Sequence, residues 1–165
     1  CLLRGPAEAA WMQSVAAEMN LAETAFPLAE GDGGAARQEV FVVEQHCAYR
    51  DADGRDPAAW HLIGWSGEHD VAAYLRVLLP GARFAEHSIG RVLTTSAFRG
   101  QGLGRELMRR GLARVAEQFG SVPIRIAAQA HLAHFYGSLE FVAVGDPYDE
   151  DDITHIDMLR AAPAG

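Results

Sequence analysis

Between Ile89 and Ala128 the chain alternates in a way that leaves few folds open. Ile89 to Thr95 is a β-branched, strand-like run, and Ile124 to Ala128 is another. Between them, Leu103, Leu107, Met108, Leu112, Val115 and Phe119 recur at three- and four-residue spacing, with Arg105, Arg109, Arg110 and Arg114 on the opposite side. That pattern predicts one long amphipathic helix from Leu103 to Phe119, ended by Gly120. Strand, long helix, strand is the signature of a parallel crossover, because two parallel strands cannot be joined by a tight turn.

The flanking sequence adds antiparallel material. Trp60 to Ser66 and Val71 to Leu79 read as a hairpin closed through Gly67 to Asp70, with Pro80 and Gly81 ending the second strand. Upstream, residues 6 to 19 read as a helix opened by Pro6, with Trp11, Val15 and Met19 along one face. Glu30 to Ala36 is a glycine-rich loop, and Val40 to Gln45 reads equally as a strand or a short helix. Downstream, Ala130 to Leu139 predicts a short helix, and Phe141 to Val144 and Ile153 to Leu159 predict strands. The expected fold class is α/β: one mixed sheet, antiparallel in its N-terminal strands, with a parallel strand pair flanking the main helix. The 165 residues suit a single domain spanning 1–165.

The helix is entered through Arg99-Gly100-Gln101-Gly102-Leu103-Gly104. Orphan N–H groups and the positive end of the helix dipole face outward there, and glycine lets an anion approach the backbone. The segment is therefore a candidate phosphate cradle, or else only a tight turn with close helix-to-sheet packing. A Rossmann fingerprint is excluded, since the position for its third glycine is Arg105. A P-loop is excluded too, since the chain contains no lysine.

Net charge and composition remove other classes. A formal charge of −8 argues against a nucleic-acid partner. No run approaches the roughly 20 apolar residues of a membrane helix, so a cytoplasmic protein with no membrane partner is expected. Cys1 and Cys47 are too few for a disulfide framework. The acidic residues Asp51, Asp53 and Asp56, and the run from Asp146 to Asp152, read as solvated loops or as a field that attracts a cationic acceptor. No metal site is expected: Asp51 to Asp56 lacks the glycine and glutamate of an EF-hand, and His131 and His134 have no third partner.

The order strand, Arg-x-x-Gly-x-Gly, helix resembles the acetyl-coenzyme A loop of the GNAT superfamily of N-acetyltransferases. Two further stretches, "VFVVEQHCAYRDADGRDPAAWH" and "AAQAHLAHFYGSLEF", are similar to the ElaA-like branch of that superfamily. The match extends roughly from Val40 to Leu159, with two departures: the glycine-rich loop at 30–36 interrupts an expected helix, and Glu140 stands where the pattern has glycine.

The resemblance implies direct acetyl transfer from acetyl-CoA to an amine of a small molecule or peptide; the sequence leaves the oligomeric state open and allows a homodimer. Val92, Leu93 and Thr94 would offer strand amides, to the cofactor and to the oxyanion formed on attack. Arg99, Gly100, Gln101, Gly102, Leu103 and Gly104 would hold the pyrophosphate, and Gln129 the pantetheine arm. Tyr136 would contact the cofactor and act as general acid, a role suited to a phenol facing a thiolate of similar basicity. Glu44 and His155 are the candidate bases, and Glu44, Tyr49 and His61 the candidate acceptor-binding residues. The alternative is a non-catalytic acyl-CoA sensor on the same fold; an unrelated nucleotide site is a third reading.

Overall fold

The structure is a computed structural model, and it describes residues 20–25, 53–66 and 70–162. In chain order these form β1 (Asn20–Ala25), β2 (Ala59–Ser66), β3 (Asp70–Leu78), β4 (His87–Thr94), α1 (Leu103–Phe119), β5 (Ile124–Gln129), α2 (Ala133–Gly137), β6 (Val142–Ala143), β7 (Tyr148–Glu150) and β8 (Ile153–Arg160). Short 3-10 turns lie at Asp56–Ala58, Ser96–Phe98 and Ala130–Leu132. The expected segments at 6–19, 30–36 and 40–45 lie outside the described residues.

All the described strands join one sheet, ordered β1-β2-β3-β4-β5-β8-β6, with β7 also on β8. β1 to β4 are antiparallel neighbours, β4 and β5 run parallel, and β5, β6 and β7 pair antiparallel with their neighbour β8. This is the mixed sheet read from the sequence, with α1 as the crossover between the parallel strands. The helix buries Leu103, Leu107, Met108, Gly111 and Val115 against β3 and β4. Gly111 replaces an apolar residue in that stripe because Leu75 fills its place: a Cβ there would lie 2.7 Å from Leu75 Cδ2.

Three details differ from the sequence reading. Ala130 to Leu139 divides into a 3-10 turn and the five-residue α2. β1 and β7 were not expected; "NLAETA" and "YDE" have little β propensity and are strands through pairing with β2 and β8. Glu140, where the resemblance implies glycine, has φ 70°, the left-handed conformation in which glycine carries no Cβ penalty. Its carboxylate accepts a 2.6 Å hydrogen bond from Arg160.

Candidate active site

The site begins with strands that part. β4 and β5 pair only through His87 with Ile124 and Ser88 with Arg125, after which they diverge. A bulge in β4 helps to open the gap: Gly90 faces Arg76 and Leu93 faces Tyr74, so Arg91 and Val92 together oppose Leu75. Arg91 takes φ 53° to accommodate the extra residue. Within the bulge Val92 lines a cleft; beyond it, Leu93 is buried with Tyr74 and Ile63, and Thr94 lines a second recess. The cleft has a volume of about 290 Å³ and the recess about 280 Å³.

The recess is the glycine loop. Gly100 and Gly102 both have positive φ, 75° and 79°, and Gly102 is the N-cap of α1 with no side chain capping it. The amides of the first turn are thus not taken by a capping side chain, and Arg99, Arg105 and Phe135 complete the wall. Arg99 Nε donates to the Thr94 carbonyl at 3.1 Å, and Arg105 donates to Ser138 Oγ at 2.8 Å while lying over the Phe135 ring. Two guanidinium groups beside helix amides that no side chain caps suit a diphosphate. Gly104 is not held to glycine by packing, because a Cβ would make only ordinary contacts at 4.0 Å with Phe135 and Thr94. Gln101 donates to the Ala97 carbonyl at 3.3 Å.

Gln129, at the carboxyl end of β5, and Tyr136, in α2, both line the cleft. Tyr136 is 7% exposed and makes edge contacts with Phe135 and Phe141. Burial pushes its phenol up to about 12, so it keeps its proton at neutral pH. His155 lies directly opposite Gln129 on β8 and lines the same cleft. Its Nδ1 is 2.8 Å from the Ile153 carbonyl, which can only accept. In the neutral ring Nδ1 therefore carries the proton, and Nε2 holds the lone pair.

The cleft floor departs from expectation. Asp53 and Asp56 are half-buried and paired: Arg76, its side chain 3% exposed, donates to both Asp53 oxygens at 2.8 and 2.7 Å and to Asp56 at 2.8 Å. Arg55 and Arg91 add contacts to Asp53 at 3.2 and 3.6 Å. Burial opposes ionisation of Asp53, but the hydrogen bonds from Arg76 and from the Arg55 amide outweigh it and hold the carboxyl far below the usual range. These carboxylates are engaged inside the protein, so the reading of them as a steering field is corrected. Glu150, in the second acidic run, pairs with Arg83 at 3.0 Å across the cleft mouth.

His61 is 3% exposed in β2, between the Tyr74 hydroxyl at 2.6 Å and the Asp56 carbonyl at 3.1 Å. It is not among the residues that line this cleft. Glu44 and Tyr49 lie outside the described residues. Sequence reasoning missed Arg76, Arg91 and Tyr148; a signal for the bulge was present in Gly90, a glycine inside a strand pattern.

Residues 74–161 match the acetyltransferase (GNAT) domain family, and the chain belongs to it. Within that family it is similar to protein ElaA of Escherichia coli, 40% identical over 126 residues that cover 75% of this chain and 82% of that one. The crystal structure of E. coli ElaA superposes with a TM-score of 0.77 at 34% identity, covering 86% of this chain and 99% of that one. An acyl-CoA N-acyltransferase from Pseudomonas aeruginosa gives a TM-score of 0.79 at 41% identity, covering 87% and 99%. Acyl transfer from coenzyme A is the chemistry of this family. No helix among the described residues is long and apolar enough to cross a membrane.

Proposed function

We propose that this protein transfers an acetyl group from acetyl-CoA to the amine of an acceptor by direct attack, with Tyr136 as general acid and His155 as general base. One observation carries the reading: β4 and β5 part after two paired residues, and Gln129, Tyr136 and His155 line the cleft together with Val92, two residues from Thr94 in the glycine recess. The amides of α1 with Arg99 and Arg105 would hold the diphosphate, and Gln129 the amide-bearing arm. Bound acetyl-CoA supplies an activated acyl thioester. His155 takes the proton of the acceptor ammonium on Nε2, and Tyr136 Oη delivers its proton to the departing sulfur. Those amides between Val92 and Thr94 that turn away from β3 would meet the carbonyl oxygen as it gains charge. Glu44 is the second candidate base; His155 is preferred because its tautomer leaves a basic nitrogen on a ring lining the cleft.

The test is Tyr136→Phe with calorimetric titration of acetyl-CoA. Turnover should fall by about 10² to 10⁴ while affinity for acetyl-CoA is retained. Unchanged turnover, followed as thiol release with an amine acceptor, would remove Tyr136 from catalysis. Binding of acetyl-CoA without turnover of any amine would favour a sensor, and ATP binding as well as coenzyme A would favour an unrelated nucleotide site.

A further inference from the structure

We propose that Tyr148 is a positioning residue for His155, a role that rests on His155 being the base. Three strands set up the arrangement. Tyr148 on β7 is paired directly with His155 on β8, and His155 is paired directly with Gln129 on β5. Directly opposed residues share a face of the sheet, so Tyr148, His155 and Gln129 form one row running from the outer strand to the cleft. The Tyr148 and His155 rings lie nearly parallel, 24° apart, with centroids at 6.1 Å.

Tyr148 is itself anchored. Its hydroxyl donates to Asp157 Oδ1 at 2.8 Å, and Asp157 follows His155 by two residues on the same strand and face. Arg125 Nε approaches the same carboxylate at 3.6 Å. The imidazole therefore has a fixed ring on one side and its own backbone tether, Nδ1 to the Ile153 carbonyl, along its edge. A chain with no use for the ring's orientation has little reason to hold a tyrosine, 37% exposed, in a three-residue edge strand. The titratable and charged groups around this row are Tyr148 and Asp157, Glu150 with its partner Arg83, Asp151 in the turn, Arg125, and Tyr136 across the cleft.

The proton step this serves is balanced within the site. The ammonium proton of the acceptor passes to Nε2, whose lone pair forms the new N–H bond. The electron pair of the broken bond stays on the acceptor nitrogen as the nucleophile, and the imidazolium keeps both ring protons until solvent removes one. If the ring rotates away from the acceptor, the transfer slows while acetyl-CoA binding at the glycine recess is untouched.

Three variants test this with acetyl-CoA and a turnover-competent amine: Tyr148→Ala, which removes the ring; Tyr148→Phe, which removes only the anchor to Asp157; and His155→Gln. Tyr148→Ala should lower kcat on the order of tenfold with the KM for acetyl-CoA unchanged, and Tyr148→Phe should recover most of that loss. Nitrogen NMR of the labelled imidazoles should show a single Nδ1–H tautomer for His155 in the native protein and a mixture in Tyr148→Ala. A native kcat and an unaltered His155 tautomer in a folded Tyr148→Ala protein would overturn the positioning role. Native turnover in His155→Gln would overturn the base assignment on which it rests, whatever the Tyr148 variants do, so the two failures are told apart.

Discussion

The recess at the mouth of α1 and the floor of the neighbouring cleft lie side by side but are made differently. The recess is built around backbone: Gly100 and Gly102 in left-handed conformations and a helix start without a side-chain cap, with every lining residue but Phe135 drawn from the short stretch 94–105. The floor is built from side chains. Arg76 on β3 reaches Asp53 and Asp56, 23 and 20 residues earlier, and Arg91 joins them from the bulge in β4. A backbone-built site depends on what conformation each residue can adopt, and a charge-built one on whether every partner is present.

The difference can be tested from its largest effect downward. Arg76→Ala should cost about 3–5 kcal/mol in denaturant unfolding, because it leaves two carboxylates in a partly buried site without their main donor. A loss under about 1 kcal/mol would place the network among weak surface pairs. Acid titration probes the same floor. The folded protein holds Asp53 ionised below its ordinary value of 3.8, so its contribution is intact above that pH and is lost only as pH falls further. Stability followed by circular dichroism should show that acid loss in the native protein and a reduced one in Asp53→Asn.

In the recess, Gly102→Val forces a β-branched residue to φ 79° and should cost about 1–2 kcal/mol. Acetyl-CoA affinity, measured by titration, should fall with it. Smallest is Gly104→Ala, whose Cβ meets nothing closer than 4.0 Å, so unfolding should shift by less than about 0.5 kcal/mol. A large loss there would mean that packing, rather than ligand approach, holds that glycine.

The same division explains what could be read from the chain. Helix α1 was legible to its ends, since Leu103, Leu107 and Val115 carry the period and Gly120 the stop. The parallel crossover followed from order alone, and the glycine loop from local spacing. Asp53 and Asp56 were misread because their neighbours in sequence are polar, while the arginine that neutralises them sits on another strand. His61 was named by the resemblance alone, and nothing local foretold its hydrogen bonds with the Tyr74 hydroxyl and the Asp56 carbonyl. Tyr148 was lost inside an acidic run, where nothing local signals its pairing with His155 across β7 and β8.

The two-residue joint between β4 and β5 has a mechanical consequence. It makes β1 to β4 one plate of the sheet and β5 to β8 another, joined edge to edge by two residue pairs, with α1 packed on β3 and β4. A molecule lying along the gap with amides of its own would stitch the plates together where the protein leaves them apart. Amide hydrogen exchange should then slow in β4 and β5 together when acetyl-CoA binds, and resistance to pulling the plates apart should come as much from the guest as from the chain.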